Sequence, residues 1–264
     1  MRTVYLNHDA FCVFDEGVGP TLLFVHGFPL DHRMWSAQLA HFKDRYRVIA
    51  PDLRCFGESV AGVELVTMEQ MADDLNGLLD ALGVAQPIVF CGLSMGGYVG
   101  WQFYRKYHSR VRGLILADTR SQADSAEAIQ SRTKMIDHLL RAGPQYVAEP
   151  MLPRLFAPGS FRRVPGVVAE VQETILAARP QSVAAAIRGL SARPDMSGYL
   201  PEIKTPTLVV VGDQDAISPP DEMRAMAAAI PGARFTVVPD AGHLTPLENP
   251  AAFNAAVEKF LASL

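Results

Sequence analysis

Six short apolar runs recur along the chain, and the stretches between them are long and amphipathic enough to be helices. The runs are Thr21–Val25 (TLLFV), 46–50 (YRVIA), 87–91 (PIVFC), 112–117 (RGLILA), 207–211 (TLVVV) and Arg234–Val238 (RFTVV). Most are continuous, without the apolar–polar alternation of a sheet that has one wet face. They therefore read as parallel strands covered on both sides. Helical patterns fall at 35–42, 68–82, 96–107, 220–230 and 251–264. Thr67 followed by Gln70 makes a capping box for the second of these, and Gly83 stands where that helix should stop. Residues 4–6 and 11–14 read as an antiparallel hairpin ahead of the first parallel strand. Few architectures accept this alternation, and it predicts an α/β fold: a mostly parallel sheet with helices on both faces.

The alternation breaks after Asp118. From residue 121 to about 199 no strand pattern occurs. Ala-rich amphipathic segments take its place, at about 125–142, 145–156, 167–178 and 181–192. Gly143-Pro144, Pro158-Gly159, Pro165-Gly166, Pro180 and Pro194 punctuate them. The strand–helix rhythm resumes at Pro206. The predicted organisation is a core over 1–120, a helical cap over 121–202 and the rest of the core over 203–264.

Composition narrows the classes of function. The chain has 264 residues, with 24 Lys+Arg against 28 Asp+Glu, a formal net charge of −4. That balance offers no electrostatic footprint for nucleic acid or an anionic membrane. No apolar run reaches the roughly 18 residues a membrane helix needs. Residues 1–9 alternate polar and apolar and carry no apolar signal region. Cys12, Cys55 and Cys91 cannot pair completely, and none is spaced as CxxC. They read as free thiols of a reducing compartment, so the expected location is the cytoplasm.

The strongest chemical signal is Gly92-Leu93-Ser94-Met95-Gly96, a G-x-S-x-G turn between an apolar strand and a helical stretch. A serine on so sharp a turn needs small residues two before and two after it, so that strand and helix backbones can approach. Gly92 and Gly96 meet that need. His26-Gly27-Phe28-Pro29 follows another apolar strand, and a tight turn there can aim the Phe28 N–H into the crevice beyond the strand ends. With the N–H of Met95, at the start of the helix after Ser94, it supplies two donors for a developing oxyanion. His26 itself, placed before the turn, suits a structural hydrogen bond.

A serine hydroxyl is a weak nucleophile without an adjacent base oriented by a third group. His243 lies in the loop after the strand Arg234–Val238, and Asp215 in the loop after 207–211. Both loops leave carboxyl ends of strands, where ligand crevices form in open parallel sheets. The order Ser94, Asp215, His243 is the one this kind of fold uses. Asp213 is expected to cap the acid turn, and Asp118 is a second candidate acid because it too ends a strand. His8, His32, His41, His108 and His138 have no partner pattern and are expected at the surface.

Taken together, the HGFP turn, the stretch 52–59 (DLRCFGES), GLSMGG, GDQDAISPP and AGHLTPLENP resemble the α/β-hydrolase superfamily over essentially the whole length. Within it the chain is most similar to small cofactor-free hydrolases: 3-oxoadipate enol-lactonases, carboxylesterases and the perhydrolase or non-haem haloperoxidase branch. The resemblance implies an eight-stranded, mostly parallel sheet with a helical cap after the sixth strand. It also implies Ser94, His243 and Asp215 as a catalytic triad, with the Phe28 and Met95 amides as the oxyanion hole. One departure is Cys55, where relatives commonly carry glycine.

The leading expectation is a serine hydrolase cleaving small-molecule carboxylic esters through an acyl-enzyme, with no cofactor and no metal. A narrower variant is an enol-lactonase, for whose anionic substrate cap arginines such as Arg120, Arg132, Arg154 or Arg188 could supply charge. Perhydrolysis uses the same triad. Carbon–carbon hydrolases share the serine, whereas dehalogenases and epoxide hydrolases carry aspartate at that position. A non-catalytic ligand receptor on the same fold is the reading from another class. Substrate-binding residues and oligomeric state the sequence leaves open.

Overall fold

The strands at the centre of the sheet are apolar along their whole length because both of their faces are covered. In the computed structural model, which describes residues 1–60 and 66–264, β3 (Thr21–Val25), β5 (Ile88–Leu93) and β7 (Thr207–Gly212) are buried at every position. They belong to a single eight-stranded sheet with β1 (Arg2–Leu6), β2 (Asp9–Glu16), β4 (Arg47–Pro51), β6 (Val111–Ala117) and β8 (Arg234–Val238). The order is β1-β2-β4-β3-β5-β6-β7-β8. β2 runs antiparallel to both neighbours, and every later pairing is parallel.

The N-terminal hairpin forms with Thr3 opposite Cys12. β2 is twice as long as the stretch 11–14, because it pairs on one side with β1 and on the other with β4. Its mixed burial is what hid its ends. β8 is the far edge, and only Val238 of its five residues is buried.

The flanking helices are α1 (Ser36–Phe42), α2 (Met68–Ala81), α3 (Met95–Tyr107), α9 (Pro220–Ala229) and α11 (Pro250–Leu261). α2 packs on α3, and α1 on α11, forming the layers over the two faces. The predicted capping residue is in place: Thr67 Oγ1 accepts from Gln70 N at 3.1 Å, and Gly83 follows α2 with φ +67°. A 3₁₀ turn, His32–Trp35, precedes α1 and buries Trp35 against Phe24 and Phe253.

Between β6 and β7 the described residues form helices and no strand: α4 (Ala126–Ala142), α5 (Gln145–Leu155), α6 (Ser160–Arg163), α7 (Pro165–Ala177) and α8 (Pro180–Ser191), followed by a 3₁₀ turn, Ser197–Glu202. Prolines open α7 and α8, where the missing N–H costs nothing. Ser125 caps α4, accepting from Ala128 N. Two short helices, α6 and α10 (Thr245–Glu248), have no periodic signal in the sequence because they are single turns held by tertiary contacts.

Going along the chain, β4 is added on one side of β3 and β5 on the other. The crevice between the carboxyl ends of β3 and β5 is thus the point where the winding direction reverses, the place where such sheets bind ligands.

Candidate active site

The turn from β5 into α3 puts Ser94 in a conformation that L-residues rarely adopt, with φ +52° and ψ −113°. Its neighbours explain how the chain holds it there. A Cβ on Gly92 would stand 2.3 Å from the Gly96 carbonyl oxygen, and one on Gly96 would stand 2.2 Å from that of Val25. Only glycine lets strand and helix approach this closely. The Ser94 N–H donates to Ala117 O at 2.9 Å, and Thr119 Oγ1 donates to Ser94 O at 2.8 Å, so β6 braces the turn.

Ser94, Asp215 and His243 leave the ends of three different strands, and the fold brings them together. Ser94 Oγ is 2.8 Å from His243 Nε2, and His243 Nδ1 is 2.9 Å from Asp215 Oδ2. The other Asp215 oxygen accepts from the amides of Ile217 and Ser218 at 2.7 and 2.9 Å. His243 and Asp215 are buried, whereas Ser94 is half-exposed at the floor of a cavity. Phe28 and Met95 line that cavity beside Ser94 and His243. Among the described residues, neither the Phe28 nor the Met95 N–H has an acceptor.

The alternative acids have other tasks. Asp213 is exposed, and its Oδ1 accepts from Ala241 N at 3.1 Å, capping the turn. Asp118 is fully buried at φ +47°, accepts from Gly212 N at 3.0 Å and bonds Thr245 Oγ1. Burial, and then the charge of Asp215, push the Asp118 carboxyl well above the usual carboxylate range.

His26 is fully buried. Its Nε2 accepts from Leu53 N at 2.9 Å and its Nδ1 lies 3.0 Å from Gly27 O, so it pins the Phe28 turn to the loop after β4. Burial lowers its pKa, which keeps the ring neutral for that role. His8, His41, His108 and His138 are exposed. His32 is not at the surface: it is half-buried, with Nδ1 2.6 Å from Asp52 Oδ1. The residue that draws it in lies 20 positions away, which no local pattern shows. Asp31, His32 and Asp52 also bring ligand-type atoms within 4.8 Å of one another, but Arg33 occupies Asp31, and His32 with the Glu58 amide occupies Asp52.

The cavity measures about 430 Å³ and lies between the strand ends and the helices α4, α5 and α8. Of the four arginines singled out in the sequence, Arg120, Arg132 and Arg154 line it, while Arg188 is exposed outside it. A fifth, Arg193, was not singled out. It is buried, stacks over the Tyr98 ring at 4.3 Å and shares Asp124 with Arg132. Arg120 faces Glu222 and Ile217 O, and Arg154 has no acidic partner among the described residues. Arg193 follows the last cap helix in a stretch without periodicity, so nothing local marked it. Burial raises the pKa of Cys55, and raises that of Cys91 further, so neither thiol is primed as a nucleophile.

A serine on a strand–helix elbow beneath the helices that join β6 to β7, at the reversal point of an eight-stranded, mostly parallel sheet, is an arrangement of the α/β-hydrolase fold. The model of the alpha/beta hydrolase fold family matches residues 20–250, and the chain belongs to that family. It is similar to a thermophilic esterase from Thermogutta terrifontis, solved with malate bound, with 48% identity and a TM-score of 0.95 over 99% of this chain and 96% of that one. It resembles the enol-lactonase from Burkholderia xenovorans at 29% identity and a TM-score of 0.92, over 99% and 100% of the two chains. It is also 30% identical to 3-oxoadipate enol-lactonase 2 of Acinetobacter baylyi, over 97% of this chain and 93% of that protein. No helix among the described residues is long and apolar enough to cross a membrane.

Proposed function

We propose that the protein hydrolyses carboxylic esters of small molecules through an acyl-enzyme. The observation that carries this reading is the continuous hydrogen-bond line from Ser94 Oγ through His243 to Asp215, at 2.8 and 2.9 Å. Ser94 Oγ attacks the carbonyl carbon while His243 Nε2 takes its proton. Asp215 holds the ring by Nδ1–H and stabilises the imidazolium, while two backbone amides fix its other oxygen. The amides of Phe28 and Met95 receive the oxyanion, Met95 with the help of the positive end of α3. His243 returns the proton to the leaving alcohol, and water repeats the sequence on the acyl-enzyme. Steady-state hydrolysis of p-nitrophenyl esters from acetyl to octanoyl, with Ser94→Ala as control, tests it. Turnover equal in the two proteins removes the reading.

A second reading, a lactonase for an anionic lactone, is favoured by the arginines in the cavity wall. Asp124 neutralises part of the charge of Arg132 and Arg193, and Arg154 is left to meet a substrate carboxylate. Opening of an enol-lactone no faster than its background hydrolysis eliminates this variant and leaves the esterase standing.

A further inference from the structure

His243 sits on a loop whose anchoring is unusual. Glu248, at the end of α10, is 2% exposed, yet no cation pairs with it among the described residues. Its carboxylate instead accepts four hydrogen bonds from neutral donors. Oε1 takes the amides on either side of the histidine, Gly242 N at 2.8 Å and Leu244 N at 3.2 Å. Oε2 takes two groups of the cap, Ala157 N at 2.8 Å and Ser160 Oγ at 2.6 Å. The amide of His243 itself donates to Leu155 O, again in the cap, at 2.9 Å. The two segments lie so close that a Cβ on Gly242 would stand 2.5 Å from Ala157 N. Arg163 adds a further link, donating to Ser160 Oγ and to Asp240 O.

A buried carboxylate without a counter-ion is an expensive way to stabilise a loop, because desolvation opposes it. Its geometry accounts for its presence: one rigid group holds the amides of both residues flanking His243 and, with its other oxygen, the cap. We infer that Glu248 is a positioning residue that fixes the His243 ring on Ser94 and fastens the cap segment 155–160 to the same loop, so that cap wall and base move as one body. Leu155 lines the cavity, so the clamp ties the shape of the substrate chamber to the alignment of the base. Any opening of the cap must then occur at other segments. The inference rests on the reading of Ser94 and His243 as nucleophile and base.

The test compares Glu248→Ala, Glu248→Gln and Ser160→Ala with the wild type. The readouts are kcat and KM on p-nitrophenyl acetate, the rate of Ser94 labelling by a fluorophosphonate, and the thermal midpoint. Glu248→Ala should lower kcat and labelling rate about 100-fold, the scale of a small misplacement of a reacting group. Glu248→Gln keeps an oxygen for the two loop amides and should recover at least 10-fold of that loss. Ser160→Ala releases only the cap arm, so KM should rise severalfold while kcat and labelling rate stay within twofold. Equal labelling of wild type and Glu248→Ala overturns the inference, as does a glutamine variant as impaired as the alanine one. Should Glu248→Ala not fold, the glutamine and Ser160 variants decide. A wild type that neither hydrolyses the ester nor labels sinks the esterase reading itself, a result distinct from both.

Discussion

Ser94 and His243 are 149 positions apart in the chain, and in the fold the serine Oγ lies 2.8 Å from the imidazole Nε2. The contact is made at φ +52° on the serine, so the geometry proposed for nucleophilic attack and the backbone strain occur at one residue.

That coincidence separates activity from stability. Ser94→Ala should lower ester turnover by about 10⁴-fold or more. Ser94→Gly should be as inactive but more stable than the alanine variant by about 1 kcal/mol, because glycine accepts positive φ without strain. Chemical denaturation of the two variants checks this, and equal midpoints would show that the turn stores no strain.

Asp215→Asn should fold normally, since its Oδ1 contacts to Ile217 and Ser218 survive. It should lose about 10⁴-fold in kcat, because an amide facing His243 Nδ1 favours the wrong tautomer. Single-turnover kinetics on an activated ester, together with circular dichroism, distinguish this from unfolding.

Cys55 has φ +75°, a left-handed conformation that costs an L-residue roughly 1–2 kcal/mol. A glycine, which the resemblance implies at this position, would adopt that conformation without strain. Cys55→Gly should raise the thermal midpoint by about 2–4 °C, offset in part by the loss of the Ser182 contact. Differential scanning calorimetry reads it directly, and a lowered midpoint would contradict the strain argument.

Asp118 supplies a pH dependence. Its folded pKa is raised, first by burial and then by Asp215, so between about pH 4 and that raised value the folded state holds a proton the unfolded state has lost. Protons bound then number fewer in the unfolded chain, and stability falls as pH rises through this window. Asp118→Asn presents the same shape without the titration and should flatten that fall. Urea midpoints from pH 4.5 to 8 check it; a variant with the wild-type slope assigns the dependence elsewhere.

Much of the sheet was legible because its determinants are local. Continuous apolar runs such as Thr207–Gly212 declare strands buried on both faces, and Gly92, Ser94 and Gly96 declare a tight elbow by steric need alone. The ends of β2 were not, because its length depends on two partner strands. His32 was expected at the surface and instead meets Asp52, a partner that only the fold supplies.

By itself, then, the sequence determined the alternation of strands and helices, the helical segment between β6 and β7, and the residue types at the strand ends: Ser94, Asp118, Asp215 and His243. Those follow from steric and hydrophobic rules acting within a few residues of one another. Only the tertiary structure decided which acid faces His243, which arginines line the cavity, and that Glu248 joins the histidine loop to the cap. Each of these is a contact between segments far apart in the chain, fixed by the packing of buried surfaces and the satisfaction of buried polar groups, and neither has a period that a sequence can display.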